Sequence, residues 1–295
     1  MTTATDNALR MGGLDAAAFG FVQSLAAELS GGRIELPSFP EVAVRVRRAL
    51  AAEDTSVDQL VRIIGSEPAL AARVLKMANS AALNRTGKPV TDLRAAITRL
   101  GQNMVRSAAL SFAMAQLRQG TAWVPLEPWL REVWQRSTRV ATLAFALARH
   151  QARAVNADEA FLAGLLHGIG QLYILTRAWQ HPKLFADDPA LRGILRDWHA
   201  NVARAILENW EFPPEMVEAV GAQEELERRH TGAADLGDVL VVARLIESFA
   251  EHPAELELNL AGVPACAALA LDATSGLAVI REGAAELETL RAALQ

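Results

Sequence analysis

Six histidines and one cysteine carry most of the reactive potential of this chain, and two of the histidines lie inside helical patterns. His167 sits in the run Leu162-Ala163-Gly164-Leu165-Leu166-His167-Gly168-Ile169-Gly170, and His199 lies in a stretch that ends at Trp210-x-x-Pro213. A neutral imidazole can ligate a divalent ion, relay a proton, or hydrogen-bond within a core. For both residues the pattern favours a buried histidine with satisfied ring nitrogens over metal ligation. His150, His181, His230 and His252 show no partner pattern and are expected on the surface. Gly164, Gly168 and Gly170 could suggest a phosphate loop, but they fall within an apolar helical run, so close helix packing is the better reading. A Walker lysine motif, a Gly-x-Ser-x-Gly elbow and a His-Glu-x-x-His pair are all missing from the sequence. Cys266 stands alone, so neither an intramolecular disulfide nor a cysteine zinc site can form, and its Ala/Leu-rich surroundings suit a core residue.

The elements that must position these residues read as helices throughout. Apolar residues make up 51% of the 295 positions and charged residues 21%, enough for a large core and against disorder. Alanine, leucine and arginine dominate, and β-branched runs are short, so the expected class is all-α. Helical spacing predicts elements over 14–29, 41–51, 57–65, from Pro68, from Leu93, 104–117, 129–150, 158–176, 189–210, 214–227, 235–250 and 273–293. Ser56 to Gln59 and Asn156 to Glu159 read as capping boxes, Thr91-Asp92 as a further cap, and Gly101 as a break. Asn79 reads as a helix end in the left-handed conformation. Turn formers between Gly120 and Pro128 suggest a boundary, dividing the chain into a tail and first helix (1–32), an N-terminal helical subdomain (33–120) and a second helical subdomain (121–295).

Composition also excludes functions. The net charge is −5 and the short basic clusters at Arg45, Arg47, Arg48 and at Arg228, Arg229 are followed by acids, which argues against nucleic acid as a partner. No charged and then apolar leader opens the chain, and no run reaches the ~20 apolar residues that a bilayer crossing needs. A cytoplasmic, reducing setting without membrane contact is the expectation.

Five blocks in the first half carry a resemblance: Leu36-Pro37-x-x-Pro40, Ile63-Ile64, Pro68-x-Leu70, Leu75-x-x-x-Asn79-Ser80-Ala81 and Ala96-Ile97-x-x-Leu100-Gly101. In order and spacing they resemble the HDOD family, a degenerate relative of the HD-type metal phosphohydrolases. Glu67-Pro68 stands where that family usually has Asp-Pro. The run around His167 and the stretch from His199 to Val217 resemble the HD-like half, so the likeness covers roughly residues 33–250.

The resemblance implies an all-α fold of two helical subdomains and a regulatory role in bacterial signalling, exerted through protein partners. It also implies a pocket whose metal ligands are lost. Arg136 stands near the first ligand position and Gly168 replaces the aspartate beside His167. His199 is retained, no histidines occur near Gln223, and Arg244 falls where a final aspartate belongs. Two histidines and two arginines do not make a metal site, because a guanidinium has no lone pair to donate. The expectation is therefore a non-enzymatic module without metal or cofactor. In the degenerate pocket, Arg136 and Arg244 either pair with nearby acids such as Glu132 or Glu247, which is favoured, or grip a small anion such as a nucleotide. A residual metal-dependent phosphohydrolase or phosphodiesterase using His167 and His199 is the remaining alternative. With no receiver or sensor domain attached, any input is expected through a partner, a ligand or expression.

Overall fold

A computed structural model describes residues 18–31, 41–51, 55–84, 86–119, 125–152, 154–185, 188–249 and 262–271, together with the isolated positions 252, 255, 260, 288, 289, 291 and 292. Among these residues all regular structure is helical. The first helix, α1, covers 18–30. It is followed by α2 (Glu41–Ala51), α3 (Val57–Gly65), α4 (Pro68–Ala78), α5 (Leu93–Gln119), α6 (Glu127–His150) and α7 (Ala157–Leu166). Then come α8 (Ile169–Ala178), α9 (Pro182–Phe185), α10 (Asp188–Asn209), α11 (Pro214–Gly221), α12 (Leu236–Ser248) and α13 (Pro264–Ala268). Among the described residues no helix is long and apolar enough to cross a membrane.

Local chemistry sets these boundaries. Ser56 accepts from the Gln59 amide at the start of α3, and Asn156 accepts from Asp158 and Glu159 at the start of α7. Each satisfies donors that an open helix end would leave orphaned. Helix α5 spans both elements expected around Gly101, which kinks it at φ 71 and ψ 174, a conformation that glycine adopts at low cost. Asn79 departs from its expected left-handed state and has φ −99. Its side chain instead bridges the following turn, with Oδ1 accepting from the Val90 amide at 2.7 Å and Nδ2 donating to the Leu75 and Val90 carbonyls.

The core is continuous across the helices. Trp134, Tyr173, Phe161, Ile64, Leu70 and Met77 are among its largest fully buried side chains. Helix α6 packs along α7, α10 along α8, α12 along α6, and α5 touches both α2–α4 and α7. Two further ties join early and late parts of the chain. Glu28 of α1 accepts from the Tyr173 hydroxyl at 2.5 Å and pairs with Arg177 at 3.0 Å. Beyond the end of α10, Trp210 lies under the Arg47 guanidinium at 5.1 Å and Phe212 under that of Arg106 at 5.7 Å, with Glu211 between them at φ 56. Such cation–π contacts are worth about 0.5–1 kcal/mol each where exposed.

The C-terminal half differs from expectation in two places. The helix expected over 158–176 is broken at His167-Gly168, giving α7 and α8. The helix expected over 214–227 stops at Gly221 and continues as turns. The helix expected over 273–293 lies almost wholly outside the described residues.

Candidate functional site

Close helix crossings bring the two helical histidines together. A Cβ added at Gly164 would lie 2.3 Å from the Ala141 Cα, so α7 presses backbone to backbone on α6. One at Gly170 would lie 2.0 Å from the His199 carbonyl oxygen, so α8 presses on α10 at that histidine. Between them, a Cβ at Gly168 would meet the Ser137 hydroxyl of α6 at 2.5 Å and Val133 at 3.1 Å. The glycines therefore mark close packing, as expected, and the position beside His167 has little room for a side chain.

His167 is 3% exposed, and its Nδ1 donates to the Gly164 carbonyl at 2.6 Å. That contact leaves Nε2 as the lone-pair atom of the neutral ring. Burial, and then the Arg244 charge, hold the His167 pKa well below the usual histidine range. The break after α7 has a partner as well, because the His167 carbonyl accepts from Gln223 Nε2 at 3.1 Å.

Arg244 reaches into the same region from α12. Its guanidinium donates to the Gln223 carbonyl and to Glu224 Oε1. The same Glu224 oxygen lies 3.1 Å from His199 Nε2, while His199 Nδ1 contacts the Arg196 carbonyl at 3.2 Å. Burial pushes the Glu224 carboxyl up, but His199 and Arg244 outweigh it and hold its pKa at about 2. A buried guanidinium, a buried imidazole and a half-exposed carboxylate thus form one linked group across α10, α12 and the turn after α11.

Of the five sequence candidates, His167, Gly168, His199 and Arg244 converge. Arg136 does so only at the rim: its Nε donates to Glu247 at 2.9 Å and its Nη2 to Ser248 at 3.0 Å, with Arg139 on the other Glu247 oxygen at 2.6 Å. The expected pairing with Glu247 is thus present for Arg136, whereas Arg244 pairs with Glu224. The α6 residue against Gly168 is Ser137, fully buried and one position beyond Arg136. Ser137, Gln223 and Glu224 escaped the sequence reading because only tertiary packing brings them here. Gln223 marks in the sequence only a stretch without histidine.

These residues do not fit a divalent cation. Hard ions need several oxygen donors, and zinc needs at least three protein ligands with an open position. Here the nearest carboxylate is already bound by a guanidinium, whose charge would repel a second cation. Among the described residues, the histidine–carboxylate group with metal-ligand spacing lies elsewhere, at His230, Asp235 and Asp238. Arg228 pairs with both aspartates there, at 2.5 and 3.2 Å, and His230 Nε2 lies 2.6 Å from Asp238. His230 is exposed as expected, but it does have a partner. Asp235 and Asp238 also cap one another at the start of α12, and this capping box brings the two carboxylates together. Cys266 is buried, as expected, and burial pushes its thiol pKa up to about 11.

Comparison with known proteins places this geometry in context. The HDOD domain family model matches residues 36–226, more than half of the chain. A solved structure from Shewanella amazonensis, provisionally named a metal-dependent phosphohydrolase, is similar at 30% identity with a TM-score of 0.72. The match covers 95% of this chain and all of that one. A structure from Marinobacter aquaeolei, provisionally named a signal transduction protein, shares the fold at 22% identity and a TM-score of 0.59, covering 95% of this chain and 66% of that one. An uncharacterised protein of Treponema pallidum (strain Nichols) is 22% identical over 206 residues, which are 66% of this chain and 39% of that protein. The chain thus spans about two fifths of the length of that curated relative.

Proposed function

The chain belongs to the HDOD domain family, and we propose that it is a cytoplasmic bacterial signalling module that acts through protein partners and does not hydrolyse phosphoesters. One observation carries this reading: the Arg244 guanidinium, paired with the Glu224 carboxylate that His199 also approaches, sits among the residues that would have to hold a metal. A hydrolytic metal works by lowering the pKa of a bound water and by clamping a phosphate oxygen, and both require an open coordination position. A guanidinium supplies charge but no such position.

The Shewanella relative's provisional name favours a second reading, a residual phosphohydrolase. One experiment separates the two. The full chain is purified, its metal content measured, and its turnover of cyclic dinucleotides and nucleoside triphosphates followed with added manganese or ferrous iron. We expect substoichiometric metal and no turnover above buffer. Turnover that disappears in His167→Ala would establish the enzyme instead.

A further inference from the structure

We propose that Arg244 and His199 form a binding site for a small oxyanion of the phosphate type, and that Glu224 fills this site from within the chain. The proposal shares with the preceding reading only the premise that no metal lies between these residues.

The donors come first. Arg244 and His199 are 9% and 2% exposed, stand on different helices, and approach the same carboxylate oxygen. Buried cationic or polar N–H groups converging on one oxygen are the arrangement that recognises carboxylate and phosphate groups. The carboxylate they hold comes from a turn, not from a helix, and its side chain is 49% exposed. Glu224 can therefore swing into water without any helix unwinding.

The charge balance favours a replacement. Arg244, Arg136 and Arg139 form a group of three guanidiniums around Glu224 and Glu247. With the Glu224 carboxylate withdrawn, the three would share one carboxylate, and the vacated position would be positive and backed by buried nitrogens on two helices. Two spare nitrogens point the same way: Arg244 Nε and His199 Nε2 are buried, and neither has a hydrogen-bond partner among the described residues.

Competition with the internal carboxylate selects the ligand. A tethered group acts at an effective concentration of order millimolar, so a free monocarboxylate making the same contacts displaces it poorly. A phosphate brings further oxygens, which can engage Arg244 Nε and His199 Nε2 as well as the Arg244 N–H that Glu224 uses. The site is thus matched to inorganic phosphate or a phosphate monoester. Its occupation would free the Glu224 end of the turn that also carries Gln223, so that ligand binding and turn release become one event.

The test opens the site by substitution. Titration calorimetry with inorganic phosphate, at ionic strength held constant with chloride, is run on the wild-type chain, Glu224→Ala, and Glu224→Ala combined with Arg244→Met. We expect Glu224→Ala to bind phosphate at least about tenfold tighter than wild type, since the internal competitor is gone. Formate should raise the melting temperature of Glu224→Ala and leave that of wild type unchanged. The double variant should lose the gain. If Glu224→Ala does not fold, Glu224→Gln, which keeps the size and a neutral acceptor, takes its place. Equal phosphate affinity in wild type and the single variant would overturn the proposal, as would a gain that survives loss of Arg244. Metal analysis of the same samples keeps the two readings apart: metal-free protein without the phosphate gain refutes the anion site alone.

Discussion

Two glycines in helices test the packing of the site with opposite signs. Gly164 and Gly193 both lie inside helices, α7 and α10, and glycine costs a helix interior about 1 kcal/mol relative to alanine. Propensity alone therefore predicts that both Gly→Ala substitutions stabilise. At Gly193 nothing lies within 4 Å of an added Cβ, so that expectation stands, and Gly193→Ala should stabilise by about 0.4–1 kcal/mol. At Gly164 the new atom would lie 2.3 Å from the Ala141 Cα, 2.6 Å from its nitrogen and 3.0 Å from the Val140 carbonyl carbon. All three are backbone atoms, so no rotamer change can relieve the contact. Ordinary contact begins at 3.4 Å, and α6 and α7 would have to part by more than an ångström.

Overpacking a well-filled core costs about 1–3 kcal/mol, and an immovable backbone puts this site at the top of that range. Subtracting the propensity gain leaves Gly164→Ala destabilised by roughly 2 kcal/mol. Urea denaturation followed by circular dichroism measures both variants against wild type. In a chain of this size, thermal midpoints should shift by about 2–4 °C per kcal/mol. A Gly164→Ala protein as stable as wild type would refute the reading of these glycines as contact points between helices, and with it the argument that the space beside His167 is closed.

Two further outcomes follow from the charges in the pocket. The folded-state pKa of His167 is lowered, so the unfolded chain takes up the proton first: His167 contributes full stability above its unfolded value of 6.5 and loses it as pH falls below that, by at most about 1.4 kcal/mol per pH unit. Glu224, held at about 2 against 4.5 in the unfolded chain, adds its own loss only as pH falls from 4.5 towards 2. Urea titrations at pH 7.5, 6.5 and 5.5 should therefore show a slope that His167→Gln flattens, and an unchanged slope in that variant would count against the buried neutral ring. In the second case, Glu224→Gln leaves a buried guanidinium without its anion and should cost about 1–3 kcal/mol after allowance for the half-exposed carboxylate. Glu224→Gln with Arg244→Met removes both charges and should cost less than the single change, whereas simple additivity of the two losses would contradict the pairing.

Periodicity and caps made most helices legible, because both are local. Ser56, Asn156 and Gly101 act where the sequence places them. The expectation failed where a tertiary partner competes with a local rule. Asn79 forgoes the left-handed state because its amide can bond both the N–H and the carbonyl of Val90. The apolar run from Asp158 to Thr176 looks unbroken, yet it breaks where Gly168 meets Ser137 and Gln223 takes the His167 carbonyl. The pocket shows the same division. His167, His199 and Arg244 could be named from spacing and resemblance. Glu224 could not, because Glu247 is the acid one helical turn from Arg244 and only the approach of α6 draws it to Arg136 and Arg139.

The clamp on Trp210 and Phe212 bears on how such a chain can be cut and joined. The cations that cover those rings, Arg47 and Arg106, come from α2 and α5, and Glu28 of α1 holds Tyr173 and Arg177 of α8. A fragment beginning after residue 120 would keep both histidines of the pocket but leave those aromatic faces without their covers and the Tyr173 hydroxyl without its Glu28 acceptor. The run of turn formers between Gly120 and Pro128 is therefore a poor place for a splice. A gene fusion that grafts only the second half onto another protein would transfer the pocket with these side chains stripped of their first-half partners, whereas one that carries α1 to α12 intact would keep them.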